Sequence, residues 1–225
     1  HLDLAKKTGA TIVYGPTTME TGFEKMVAED GQILGLGDVK IKVLHTPGHT
    51  TESSCYLLID ENGKENAIFT GDTLFIGDVG RPDLREKAGN MKAKREELAK
   101  SMYQTMQTKF NHLPDNTIVY PAHGAGSLCG KNMSTDASST LGRERQENWA
   151  FKNLTEDEFV DHILKDQPFI PSYFGYNVDI NKVGAKDYEK AISKANFQFK
   201  ADSFEDNALI IDVRDEADFK KNHLK

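Results

Sequence analysis

Three apolar runs of this chain end alike, in a histidine or an aspartate framed by glycine or proline. They are VKIKVLHTPGHT over 39–50, AIFTGDT over 67–73 and TIVYPAHG over 117–124. In the first, Val39, Ile41 and Val43 alternate with lysines, the period of a half-buried strand. Glycine lets a backbone turn sharply and approach a site closely, so a side chain beside it is held by a rigid strand yet directed into a cleft. The candidates are His49, Asp72 and His123, separated by 23 and 51 residues. A lone histidine at a strand end is more often hydrogen-bonded scaffold than a ligand, and an aspartate before threonine is often a turn former. Three such residues in one framing point instead to a metal site. Imidazole and carboxylate are ligands of zinc or iron, and two histidines with one carboxylate and open positions suit an oxygen-using Fe(II). His45 reads as scaffold, because Pro47 makes the strand alternation beyond it unreliable.

The surrounding pattern is that of an α/β protein. LDLAKKT over 2–8 has helical composition and is stopped by Gly9. QILGLGD, SSCYLLID and the turn Glu61-Asn62-Gly63 continue a hairpin-rich stretch. From 91 to 113, strong helix formers carry apolar residues at 98, 102, 106, 110 and 113, which predicts a helix with one buried face. Thr155 and Glu158 form a capping box ahead of another helix. PFIPSYFGYNVDINKVG over 168–184 reads as an irregular, aromatic-rich connector, followed by a helix near 187–195. ALIIDVRD over 208–215 reads as a buried strand leading into helical EADFKKNH. The change in composition across 168–184 predicts one α/β domain over 1–180 and the beginning of a second over 181–225.

Bulk properties narrow the class. A net charge of −7 with no basic block argues against nucleic acid, whose partners carry a clustered positive footprint. The longest apolar runs fall far short of the roughly 20 residues needed to cross a bilayer. Two cysteines without CxxC spacing are too few for a disulfide framework and favour a reducing compartment, so the expectation is a soluble cytoplasmic protein.

HTPGHT, TGDTLF and YPAHG, in this order and spacing, resemble the third, fourth and fifth motifs of the metallo-β-lactamase fold superfamily. The resemblance implies an α/β protein built as an αββα sandwich. The superfamily's first ligand motif, an HxHxDH-type run, is absent ahead of His1, so the sandwich is expected to be incomplete at its N-terminus. GDVGRPDL over 77–84, AHGAGSLCGKNMS over 122–134 and STLGRERQENWAF over 139–151 are similar to the persulfide dioxygenases, in the bacterial form fused to rhodanese (sulfurtransferase) domains. PSYFGYNVDIN is similar to the connector of such fusions. LIIDVRDEADFKKNHL resembles the start of a rhodanese-like domain, without its active-site loop.

The activity this implies is Fe(II)-dependent oxidation of a low-molecular-weight thiol persulfide, glutathione persulfide or another, by O2 to sulfite and thiol. In the parent protein it would be coupled to rhodanese sulfur transfer. His49 and Asp72 match two iron ligands, the third being an upstream histidine. His123 matches a second-metal ligand of hydrolase relatives and in dioxygenases stands near the iron without binding it, where it would hydrogen-bond substrate or water. Cys129, next to Gly130 and Lys131, is either a thiol activated by a nearby cation to relay sulfane sulfur or a small buried hydrophobe, whereas Cys55 reads as core. Arg81 either fixes its loop through Asp83 or Asp72 or faces a substrate carboxylate. Lys131, Arg143 and Arg145 either bind the anionic end of a thiol cofactor or stand on a solvated face. Asp212 and Arg214 read as stabilising the second domain. Two further readings stay open: a thioester hydrolase of glyoxalase II type with two metals, zinc replacing iron, and an inactive fragment or metal-free binding module. The absent motif predicts that these 225 residues alone bind iron weakly and turn over no persulfide. A homo-oligomer is compatible with the sequence.

Overall fold

The computed structural model describes residues 1–84, 91–195 and 207–223. In chain order the first elements are α1 (Leu2–Thr8), β1 (Val13–Tyr14), β2 (Met26–Val27), β3 (Ile33–Leu36), β4 (Val39–His45), β5 (Ser54–Ile59), β6 (Glu65–Gly71), β7 (Leu74–Phe75) and β8 (Asp78–Val79). Then follow α2 (Met91–Lys109), β9 (Ile118–Pro121), β10 (Ser139–Thr140), α3 (Leu141–Glu147), a 3-10 turn (Trp149–Phe151), α4 (Glu156–Leu164) and α5 (Tyr173–Val183), and finally α6 (Tyr188–Ile192) and α7 (Glu216–Lys221). The residues divide into two compact units, 1–185 and 186–225.

In the first unit a six-stranded sheet runs in the order β10-β9-β6-β5-β4-β3. β4 is antiparallel to β5, β5 to β6, and β6 is parallel to β9, so β4, β6 and β9 point the same way and end on one edge. One face of the sheet, with Leu44, Cys55, Leu57, Ile68 and Val119, packs against α2 and α4. The spacing predicted for α2 is the buried one: Leu98, Met102, Met106, Phe110 and Leu113 all lie in the core. α4 begins at the expected capping box, Thr155 and Glu158 exchanging hydrogen bonds, and buries Phe159, Val160 and Ile163. On the sheet's other face Phe69 and Tyr120 stack 5.7 Å apart and are exposed. Among the described residues there is thus one large sheet, with two small two-stranded sheets, β1-β2 and β7-β8.

Two expectations fail here. The stretch 173–183, read as an irregular connector, is the helix α5. Gly175, Asn177, Val178 and Asn181 are weak helix formers and hid it, although Gly184 follows it at a positive φ of 97° that glycine adopts freely. In the second unit, 207–213 carries no strand, and Leu209, Ile211 and Val213 are exposed. A buried strand takes its hydrogen bonds and its burial from neighbouring strands, and this unit has none among its described residues; 196–206, also within the predicted second domain, lie outside them. What holds its C-terminal part is local. Arg214 pairs with Asp212 and donates to the Asn222 carbonyl at 2.7 Å beyond α7, and the guanidinium holds the Asp212 carboxyl down to about 2. No helix of the described residues is long and apolar enough to cross a membrane.

Candidate metal centre

The common edge where β4, β6 and β9 end gathers the three candidate ligands, as ligand sites gather at the carboxyl ends of parallel strands. β6 ends at Gly71, whose φ of 54° only glycine adopts freely. The Ala122 N–H donates to the Gly71 carbonyl at 3.0 Å, so Asp72 and His123 leave adjacent strands side by side. His49 comes from the loop after β4. Its Nδ1 lies 2.8 Å from the Arg81 carbonyl, an oxygen that can only accept, so Nδ1 carries a proton and Nε2 is turned toward Asp72 Oδ2, 3.5 Å away. His123 Nδ1 lies 2.7 Å from Asp72 Oδ1, off the line a hydrogen bond requires, leaving that buried oxygen with no hydrogen-bond donor among the described residues. The Cys129 Sγ completes the group: ligand atoms of Asp72, His123 and Cys129 lie within 4.8 Å of one another. A buried carboxylate oxygen without a donor is unfavourable unless a cation meets it. Imidazole, carboxylate and thiol are donors for iron or zinc. The donor set therefore fits a metal ion, with Asp72, His123 and Cys129 clustered and His49 Nε2 3.5 Å from Asp72 Oδ2 beside them.

The loop 77–83 clamps this edge. A Cβ at Gly80 would lie 1.8 Å from the Asp72 carbonyl oxygen and 3.0 Å from the His49 Cβ, so only glycine permits the approach. Asp78, 2% exposed, accepts from the N–H groups of Lys131 at 2.7 Å and Asn132 at 2.9 Å and from the Trp149 indole at 2.8 Å. Those bonds hold the loop that carries Cys129. Arg81 is 1% exposed and grips Asp83 with Nε at 2.6 Å and Nη2 at 2.7 Å, while its N–H donates to the Cys129 carbonyl at 2.9 Å. Buried and occupied, the Arg81 guanidinium does not face a substrate; it fixes the loop whose carbonyl orients His49.

The other cations expected at the substrate are engaged elsewhere. Lys131 Nζ donates to the carbonyls of His162 at 2.9 Å and Lys165 at 2.6 Å at the end of α4, and Arg145 to those of Phe110 at 2.6 Å and Leu113 at 2.7 Å just beyond α2. Carbonyls unpaired at a helix end attract such donors. Arg143 pairs on the surface with Glu147 at 2.8 Å and Asp136 at 2.9 Å. With the Lys131 ammonium so directed, burial pushes the Cys129 thiol above its ordinary value, with Asp72 adding to the rise. Cys55 is fully buried and its thiol is raised to about 11 by desolvation. The His45 ring bonds the Thr51 carbonyl at 2.9 Å and stays outside the cleft.

The site opens into a cleft of about 550 Å³ whose far side is α5 and the segment after β1. Sequence reasoning passed over much of this lining, including Tyr14, Tyr56, Asn177 and Lys182. The available signal was the recurrence of Phe174, Asn177, Val178, Asn181 and Lys182 on one helical face.

Sheet, strand-edge cluster and clamping loop define the class: the chain has the metallo-β-lactamase fold. No family model matches it. It is similar to a metallo-beta-lactamase from Staphylococcus aureus subsp. aureus COL, with 36% identity and a TM-score of 0.72 over 81% of this chain and 53% of that one. It also resembles ETHE1 from Myxococcus xanthus in fold, with a TM-score of 0.62 at 24% identity over 80% of this chain and 68% of that one. In sequence it is 40% identical over 151 residues to a hydroxyacylglutathione hydrolase of Dictyostelium discoideum, 66% of this chain and 50% of that protein. A probable hydroxyacylglutathione hydrolase of Schizosaccharomyces pombe is 29% identical over 188 residues, 75% of this chain and 67% of that one. The chain thus spans about half the length of the Staphylococcus and Dictyostelium proteins.

Proposed function

We propose that this chain carries the metal centre of an iron-dependent persulfide dioxygenase, which converts R–S–SH, O2 and water to R–SH, sulfite and two protons. The observation that supports this reading is the Cys129 thiol grouped with Asp72 and His123: a sulfur side chain stands where a sulfur substrate would react. Bound iron would supply O2 activation and the oxidation of the terminal sulfur. His49, anchored through Nδ1 on the Arg81 carbonyl, and Asp72 would hold the ion. His123, partly exposed beside Asp72, hydrogen-bonds the substrate sulfur or a water. Coupling to a rhodanese step in the same protein rests on the resemblance of PSYFGYNVDIN and LIIDVRDEADFKKNHL.

A second reading, hydrolysis of an acyl-glutathione thioester by two metal ions, is favoured by the names of the Dictyostelium and Schizosaccharomyces relatives. His49, Asp72 and His123 would be the residues that hold those ions, which would activate a water for attack on the thioester. Metal analysis of the purified protein separates the readings. In the intact protein, one iron per chain with O2 uptake on glutathione persulfide that Asp72→Asn abolishes is the expected result. Two zinc or mixed ions with thioester cleavage would replace it by the hydrolase, and a protein that takes up no metal would leave the binding module.

A further inference from the structure

We infer that α5 is the recognition wall of the cleft and binds the tail of the thiol carrier, an anionic end joined to the sulfur by amide-bearing chain. This rests on the reading that the carrier's sulfur is presented at Asp72, His123 and Cys129. Phe174, Asn177, Val178, Asn181 and Lys182 follow the i, i+3, i+4, i+7, i+8 pattern of one helical face, and all five line the same cleft as the metal ligands. The face divides by chemistry. Phe174 and Val178 are half-buried, while Asn177, Asn181 and Lys182 are exposed. These three polar side chains make no hydrogen bond or ion pair with any described residue, whereas Arg81, Lys131, Arg143 and Arg145 are all engaged elsewhere. Side-chain amides pair donor to acceptor with the amides of a peptide or pantetheine chain, and an ammonium meets a carboxylate or phosphate. The helix is held on the body of the unit. The Gly22 N–H donates to the Lys182 carbonyl at 3.0 Å, and a Cβ at Gly22 would lie 2.3 Å from the Val183 oxygen. A cleft of about 550 Å³ is of the size that takes one small molecule.

The test is calorimetric binding to the metal-free protein of two unreactive thioethers, S-methylglutathione and S-methyl-coenzyme A, which offer the anion as carboxylate and as phosphate. At least one is expected to bind. Lys182→Gln should weaken it about tenfold, the loss of one charge-assisted bond, and Asn177→Ala with Asn181→Ala should weaken it further. Both substitutions lie on an exposed face, and circular dichroism checks that the fold is kept. The inference is overturned if neither thioether binds, or if the one that binds is held equally by both variants. Because binding is read without turnover, failed O2 uptake would remove the dioxygenase reading while leaving this result to stand or fall alone.

Discussion

At the scale of single residues, Arg81 matters most for how the site is held. Its side chain is locked to Asp83 and its carbonyl orients His49. Removing one partner of a buried pair leaves the other charged and unmatched, so Arg81→Ala should destabilise the protein by about 3–5 kcal/mol in urea unfolding. Arg81→Lys should recover little of this, since an ammonium cannot make the two parallel bonds to Asp83. His162 gives a pH test. It packs 4.1 Å from the Trp149 ring, and burial, with the Lys131 ammonium next, holds it below its ordinary value of 6.5. The folded state then binds fewer protons than the unfolded one, so this contribution is intact above 6.5 and is lost as the pH falls through that value and below. The urea midpoint should drop more steeply over that range in the parent than in His162→Gln, and equal slopes would refute the assignment.

At the scale of elements, the strand ends and the loop 77–83 act together. Gly80→Ala would drive a methyl into the Asp72 carbonyl, so metal binding should fall by an order of magnitude or more while far-UV circular dichroism stays near the parent; unchanged metal affinity would show that the loop yields without moving Asp72. The strands themselves were legible because their period is local: β4 and β5 lie within the predicted runs, and α2 buries each of its predicted apolar positions. α5 was not, because Gly175, Asn177, Val178 and Asn181 are weak helix formers that mask its period.

At the scale of the molecule, the two units differ in how they hold their apolar residues. Ile68 and Leu57 are fully buried in the six-stranded sheet, while Leu209, Ile211 and Val213 are exposed. Amide hydrogen exchange should therefore be slow at residues 57 and 68 and fast from 208 to 213; slow exchange in the latter would show a strand pairing absent among the described residues. The order and framing of HTPGHT, TGDT and YPAHG were enough to name His49, Asp72 and His123 together, since glycine and proline at a strand end act within a few residues. Only the tertiary structure decided that β6 and β9 are parallel neighbours that set Asp72 against His123, with Cys129 brought in by Asp78. It also decided that Lys131 and Arg145 serve helix ends instead of substrate. The physical reason is the range of the forces: periodicity and turn chemistry are written in neighbouring residues, whereas the partner of a long charged side chain is whatever carbonyl or carboxylate the completed fold leaves within reach.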